Sequence, residues 1–290
     1  MFALLAPLGW PFELFAHFRV QYAALALVLA PVLVWLRHPR TAVLAVALAL
    51  FHALPAAEDA LASERVTECG GPALTVVTAN VRYRNGDHQQ FLDWLAAHPA
   101  DVVVVQELTA AWAAELARQP GYPYRKFLVR EDPYGIGILS RWPLDAVTQV
   151  DLAEDGLPSL VGRLDAGGHG LQVLGLHTRW PITPSLARAR DRSLREAARL
   201  VASHDLPVVA LGDLNLTPYS PVFAEFLRKA GLRDGMDGHQ WRPTWQVGFW
   251  PLALPVDHVL VSPEVCVERA EVGPSIGSDH RPVIAQLRLP

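Results

Sequence analysis

An apolar run that ends on a carboxylate can be buried in only a few ways, and residues 206–218 are such a run. Val208, Val209, Ala210 and Leu211 read as a strand covered on both faces. Gly212 ends it, and Asp213 and Asn215 follow with Leu214 between them. In extended chain, residues two apart share a face, so Asp213 and Asn215 point together while Leu214 turns into the core. A carboxylate and an amide at the mouth of a buried strand cost free energy unless a metal, a water or a phosphate meets them. The plainer reading is a polar strand-to-turn junction, because Asp and Asn favour turns.

The pattern recurs across residues 72–290. Strands are expected over 73–79, 101–107, 135–140, 144–150, 159–164, 171–177, 256–262, 266–272 and 282–289, with Gly or Pro punctuating them. Helices are expected over 91–97, 110–118, 185–203 and 222–230, and a long loop rich in Gly, Pro and Trp over 231–255. Strands in runs, not strictly alternating with helices, point to two packed sheets with helices outside. Asn80, Glu107, His177, Asp213, Asn215, Asp257 and the Asp279-His280 pair each fall at a strand end. Strand ends gathered at one edge make a pocket. Carboxylates, amides and imidazoles without cysteine suit Mg²⁺ or Mn²⁺ better than a zinc site. No Gly-x-Ser-x-Gly elbow or phosphate-binding glycine loop competes with them.

The first 57 residues differ in texture and contribute to a mean hydropathy of +0.19. Residues 1–19 carry Pro7 and Pro11 and read as an interfacial or partial hydrophobic segment; no positive n-region marks a cleaved signal peptide. Residues 20–36 and 41–55 are apolar, the second long enough to span if extended through Ala57, and Arg37, His38, Pro39 and Arg40 lie between them. They read as two transmembrane helices (20–57) contacting the lipid bilayer, with the basic tip in the cytoplasm and everything after Glu58 on the far side. A buried helical pair in a soluble domain is the competing reading. A linker, 58–71, follows, with Glu58, Asp59, Glu64 and Glu68. The net charge of -4 gives no global sign of nucleic-acid binding.

Six segments, in order, carry a resemblance: Thr78-Ala79-Asn80-Val81, Gln106-Glu107, Leu176-His177-Thr178, Gly212-Asp213-Leu214-Asn215, Val256-Asp257-His258-Val259 and Gly277-Ser278-Asp279-His280-Arg281-Pro282. Together they resemble the motifs of the endonuclease/exonuclease/phosphatase (DNase I-like) superfamily, and the hydrophobic segments ahead of them resemble its membrane-anchored bacterial branch. The resemblance covers 72–290. It implies an α/β fold, a four-layer α/β/β/α sandwich, here preceded by an N-terminal transmembrane helical hairpin. It implies metal ligation (Mg²⁺ or Mn²⁺) by Glu107, helped by Asn80 and Asp279. His280 would be the general base for an attacking water, oriented by Asp257; Asp213 would orient the water or protonate the leaving group. Some members exchange these last two roles. Asn215 and His177 would hold the non-bridging oxygens. The Glu that pairs with the matching His in DNase I-like members has no identified counterpart here.

Other features keep two readings. His258 alternates to the face opposite Asp257 and reads as structural, while His88, His98, His169, His204 and His239 read as surface. Arg179, Arg188, Arg190, Arg192, Arg195 and Arg199 form a solvated face or contact phosphate groups, and Arg281 pairs with a surface carboxylate or with phosphate. Trp241, Trp245, Phe249, Trp250 and Leu252 dip into a bilayer interface, stack on bases or pack over the sheet edge. Cys69 precedes the first strand and Cys266 starts the penultimate one; a disulfide between them in an oxidising compartment and two free thiols are both open readings. The leading expectation is a hydrolase of the inner (cell) membrane of a bacterium. Its catalytic domain would lie on the periplasmic side, acting as a phosphodiesterase on nucleic acid (a nuclease) or phospholipid. The alternative is a catalytically inactive membrane-bound module that binds a phosphorylated ligand or partner.

Overall fold

The structure, a computed structural model, describes residues 2–61, 69–237 and 243–290. A 3-10 segment, Phe2–Leu8, is followed after a turn by a second, Phe12–Phe18, which leads without a break into helix α1 (Arg19–Trp35), and α2 (Pro39–Leu61) packs against it. Then come β1 (Ala73–Asn80), α3 (Gln89–Ala97), β2 (Val102–Gln106), α4 (Ala110–Ala117), β3 (Tyr124–Leu128), β4 (Ile136–Ser140), β5 (Leu144–Asp151), β6 (Pro158–Ala166) and β7 (His169–His177). The chain continues through α5 (Pro184–Ala202), β8 (Val208–Asp213), α6 (Pro221–Ala230), β9 (Arg233–Asp234), β10 (Asp257–Val261), β11 (Cys266–Val272) and β12 (Val283–Arg288).

The strands form two mixed six-stranded sheets, ordered β11-β12-β1-β2-β4-β3 and β5-β6-β7-β8-β10-β9. Each has one parallel pair, β1 with β2 and β7 with β8, and each pair is connected through a helix, α3 and α5, because a tight turn cannot join parallel strands. Alternation along the strands explains the uninterrupted apolar runs. Val102, Val104, Val209 and Leu211 face the core between the sheets. Val103 and Val105 turn outward against Phe91 and Trp112 of α3 and α4, and Val208 and Ala210 against Leu194 and Phe223 of α5 and α6. Strands covered on both faces carry no polar alternation. Each fully buried Val or Leu stabilises by about 1.5–3 kcal/mol, so this layered burial dominates the fold's stability.

Local signals agree with the layers. Thr109, Thr183 and Ser220 cap α4, α5 and α6 by accepting from the N–H groups of Trp112, Leu186 and Val222. Gly231, in the left-handed region at φ 67°, closes α6. Two strands are absent from the sequence expectation. In β3 the first three residues are exposed at a sheet edge, so apolar alternation is missing; β9 has only two residues.

The N-terminal region departs further. Residues 12–18 pack on the two-sheet domain rather than standing free: Glu13, 1% exposed, receives the Ser220 hydroxyl at 2.6 Å and Arg190 Nη2 at 3.2 Å. His17 Nδ1 meets the Thr217 hydroxyl at 2.9 Å, Trp10 donates to Pro181 O and Gln21 to Ala253 O. Arg190 is therefore buried, and neither the solvated-face nor the phosphate-contact reading fits it. The reason is electrostatic: Ser220 begins α6, and a carboxylate at a helix N-terminus is favoured.

Among the described residues, one apolar helical stretch, Phe12–Trp35, is long enough to cross a membrane; Pro39–Pro55 is a shorter apolar helix. Small residues, Ala23, Ala30, Ala42, Ala45 and Ala49, are buried here, whereas Leu25, Val28, Trp35, Val43 and Leu50 are exposed. Helix α2 runs on through Leu61, so residues 58–61 of the expected linker are helical; Glu64, Glu68, His239 and Trp241 lie outside the described residues. Cys69 and Cys266 form a disulfide that ties the entrance of the domain to β11.

Candidate active site

The site forms where the C-terminal ends of both parallel pairs meet. In one sheet Asn80 ends β1 opposite Gln106, so Glu107, the next residue, emerges beside it. In the other sheet the register lines up His177, Asp213 and Asp257 across β7, β8 and β10. That register needs Gly212, because a Cβ there would lie 1.8 Å from the carbonyl oxygen of Leu176. Asp279 and His280 arrive on the loop before β12. Ser278 anchors this loop by donating to Asn80 O at 2.8 Å and accepting from the His280 N–H at 3.0 Å.

One oxygen is the hub. Asp213 Oδ2 receives Asn80 Nδ2 at 3.1 Å and lies 3.6 Å from His177 Nε2 and 3.7 Å from His280 Nε2. On its other nitrogen, His280 Nδ1 donates to Asp257 Oδ2 at 2.9 Å. Asp257 Oδ1 is buried and has no hydrogen-bond partner among the described residues. The Asp213 and Asn215 side chains meet through a turn rather than by strand alternation. Strand β8 stops at Asp213, Asn215 adopts φ 49°, and its N–H donates to Asp213 Oδ1 at 2.9 Å. Leu214 is buried, as alternation expects. Asn215 Nδ2 donates to Thr178 O at 3.0 Å.

Burial and neighbouring charges set the protonation states. Burial pushes Asp213 well above the usual carboxylate range. Burial alone would lower His280, but Asp257 and Asp213 outweigh it and hold the imidazole up to about 10. Burial, reinforced by positive His280, pushes His177 down to about 3, so its ring is neutral. Burial also raises Glu107, although the Tyr83 N–H and Asn80 Nδ2 donate to its carboxylate at 2.9 and 3.1 Å. Glu107 holds φ 61° and Arg82 φ 59°, left-handed values that non-glycine residues adopt at a cost of about 1–3 kcal/mol.

The donor set fits a hard divalent cation. Among the described residues no Lys or Arg pairs with Glu107 or Asp213, and buried carboxylates without a cation favour one. Glu107 and Asp279 both line the cavity. Asn80 turns its nitrogen to Glu107 and Asp213 while its oxygen accepts from the Arg82 N–H at 3.0 Å, so in this orientation it positions the carboxylates. Asp213, Asp257 and His280 also offer three ligand atoms within 4.8 Å of one another. Ligation there would cost the His280–Asp257 hydrogen bond, which makes Glu107 with Asp279 the better cation position.

The cavity above these groups measures about 680 Å³. Its lining includes Tyr83, Tyr134, Trp180, Trp245 and Leu252, together with Leu14, His17 and Phe18 of the N-terminal segment. Trp245 packs edge-on to Trp180 and lies 6.4 Å from the His280 ring, so this part of the Trp-rich loop covers the sheet edge. His258 stays away from the site, bonded through Nε2 to Leu216 O at 2.8 Å and facing Asp234. Arg179 pairs with Asp155 at 2.7 Å over the Tyr134 ring. Sequence reasoning missed the supports Tyr83, Thr178 and Ser278, and the contribution of residues 14–18. The available signals were Ser278 inside a motif and a carboxylate, Glu13, inside an apolar segment.

Comparison with curated proteins gives no match. Among solved structures, the chain is similar to a Bacteroides vulgatus endonuclease/exonuclease/phosphatase (18% identity, TM-score 0.65, 76% of this chain and 100% of that one). It is similar to D. rerio TDP2 in complex with a single-strand DNA product (20% identity, TM-score 0.64, 74% and 98%). It is also similar to a Bacteroides thetaiotaomicron mannosyl-6-phosphatase (20% identity, TM-score 0.60, 74% and 99%). At these identities the likeness shows the fold. The family model for the endonuclease/exonuclease/phosphatase family matches residues 77–280, most of the chain, and on that match the protein belongs to the endonuclease/exonuclease/phosphatase family.

Proposed function

We propose that this protein is a membrane-anchored, divalent-metal-dependent phosphoesterase, residues 72–290 forming its catalytic domain. The observation that carries the reading is the convergence of Asn80, His177 and His280 on Asp213 Oδ2, with His280 held from behind by Asp257. A site built only to bind phosphate has no use for a buried carboxylate set against an imidazole that a second carboxylate orients. The relatives crystallised with a DNA product or named a phosphatase support a phosphoester as the substrate.

Glu107 and Asp279, with Asn80 beside them, would hold Mg²⁺ or Mn²⁺, which would polarise a phosphoryl oxygen and offset charge on the leaving oxygen. The protein's own groups supply the rest. His280 sits between two carboxylates, 2.9 Å from one and 3.7 Å from the other, so both ring nitrogens carry protons. A ring in that state cannot take another, which favours the exchanged roles: Asp213 accepts a proton from the attacking water, and His280 stabilises charge on the phosphoryl oxygens. Neutral His177 and Asn215, which line the same cavity, hold those oxygens as well. The water oxygen bonds to phosphorus, the bond from phosphorus to the leaving oxygen breaks, and that oxygen takes its proton from solvent. Attack is in line, so Asp213 and His280, close neighbours, serve one side of phosphorus only.

Membrane anchoring rests on the helices. Alanines packed inside and Leu, Val and Trp turned outward invert the pattern of a soluble helical pair and suit lipid contact. Arg37 and Arg40 favour a cytoplasmic connection with the catalytic domain outside it, a compartment in which the Cys69–Cys266 disulfide would persist. A reporter enzyme active only in the cytoplasm, fused after residue 62, stays silent in this topology; activity overturns it. For the chemistry, the full chain in detergent is assayed with Mg²⁺, Mn²⁺ or EDTA against bis(p-nitrophenyl) phosphate and p-nitrophenyl phosphate, with His280→Ala as control. Metal-dependent hydrolysis lost in the control is expected. Hydrolysis that survives EDTA or His280→Ala, or none at all, refutes the reading.

A further inference from the structure

The cavity has two chemistries. Its floor is polar and buried, with Asp213 and His280 at 2% and 5% exposure, whereas Trp180, Ile182 and Leu252 on its wall are 54%, 54% and 42% exposed. Leu14 and Phe18 extend the apolar wall. These two residues belong to the segment that runs unbroken into α1, and the Glu13–Arg190–Ser220 and His17–Thr217 contacts lock that segment onto the domain. One wall of the reaction cavity is thus the start of the stretch that is long and apolar enough to cross a membrane.

We propose that the cavity receives a lipid phosphoester, its phosphoryl group on the polar floor and its hydrocarbon chain along Leu14, Phe18, Trp180, Ile182 and Leu252. The inference rests on the phosphoesterase reading and narrows its substrate class. Three observations carry it. The wall that leads away from the reacting groups is apolar and open, which favours a substrate with a chain to bury. Its continuity with α1 puts the mouth where a spanning helix begins, at the level of a bilayer surface. Among the described residues that line the cavity there is no Lys or Arg, and the nearby Arg82 and Arg179 face Asp279 and Asp155. Nucleic-acid affinity comes mainly from neutralised phosphates, and a polyanion finds no such partners here.

The test uses the full chain in mixed micelles with Mn²⁺ and matched substrate pairs that share a headgroup. Dioleoyl phosphatidylglycerol is set against glycerophosphoglycerol, and dioleoyl phosphatidate against glycerol phosphate; a DNA oligonucleotide and bis(p-nitrophenyl) phosphate complete the panel. In at least one pair the lipid is expected to exceed its chain-free partner in kcat/KM by about 100-fold, as burial of a few methylene groups accounts for. Ile182→Asp, at an exposed position that the fold tolerates, lowers that ratio about tenfold, and Leu14→Asn, on the N-terminal segment, does the same. A lipid preference below about tenfold, an oligonucleotide as the best substrate, or a ratio unmoved by both variants overturns the lipid assignment and leaves the phosphoesterase reading standing. Failure to hydrolyse any substrate, bis(p-nitrophenyl) phosphate included, overturns both.

Discussion

Replacing Arg190 with Met should unlatch the N-terminal segment while leaving the two-sheet domain folded. Arg190 and Glu13 are each 1% exposed, and Nη2 reaches Glu13 Oε2 at 3.2 Å. Arg190 also holds Asp191 Oδ1 at 2.8 Å, but Asp191 is partly exposed and water replaces that contact. Glu13 has no such escape: the substitution leaves a buried carboxylate facing the Ser220 hydroxyl and His17. Breaking a buried pair from one side costs about 3–5 kcal/mol, most of it the uncompensated charge. The protein avoids that cost by lifting residues 10–18 into solvent and losing the Trp10 and His17 hydrogen bonds, each worth about 0.5–1.5 kcal/mol net. The domain's layered core does not include this segment, so the main melting transition should move little. Hydrogen exchange on the full chain in micelles reads the outcome. Amides of residues 12–18 should exchange at least about 100-fold faster in Arg190→Met, whereas those of β1, β2, β7 and β8 keep their protection. Adding Glu13→Leu, which removes the stranded charge, should restore most of the protection. Unchanged exchange in Arg190→Met would refute the latch, and equal acceleration throughout the domain would show that the pair supports the core instead.

Four further outcomes follow from the geometry. Glu107→Gln should lower turnover by at least about 1,000-fold and abolish Mn²⁺ binding by calorimetry, with the melt unchanged or raised because a buried charge is gone; retained Mn²⁺ binding would place the cation elsewhere. Because the folded protein holds His280 at about 10 against 6.5 for an unperturbed imidazole, the stability from its charged form is fully present below pH 6.5 and disappears as pH rises through 10. In EDTA, the melting temperature of Asp257→Asn should therefore fall less steeply than wild type between those limits; parallel curves would contradict the dyad. Gly212→Ala should cost several kcal/mol in urea unfolding, about 3 or more, because its methyl group meets the Leu176 carbonyl inside a β pairing. Reduction of Cys69–Cys266, which closes a loop of 197 residues, should lower the unfolding free energy by about 2–5 kcal/mol, and denatured, unreduced protein should show no free thiol.

Much of the domain was legible in one dimension because its signals are local. Runs such as Val102–Gln106 and Val208–Asp213 are buried on both faces, and their uninterrupted apolar character announces that before any partner is known. The polar residues that end them stand out by contrast, and so Asn80, Glu107, His177, Asp213 and Asp257 could be named as candidates. Strand β3 could not be read, because an exposed edge strand needs no apolar alternation.

What the sequence by itself determined, then, is most of the strands and helices along the chain and the kinds of atoms at strand ends, since period and burial leave their mark on neighbouring residues. Distances between residues far apart in the chain belong to the tertiary structure. Only the register of β7, β8 and β10 brings His177, Asp213 and Asp257 into one row, and only the approach of the second sheet sets Asn80 beside Asp213. Asn215 shares its face with Asp213 through a left-handed turn, which no alternation rule contains. Arg190 reads as one more base on a basic helix until Glu13, 177 positions away, is folded against it. Charge and hydrophobicity are properties of a residue, but pairing, desolvation and the shape of a cavity are properties of its neighbours, and those arise only when the chain has closed around them.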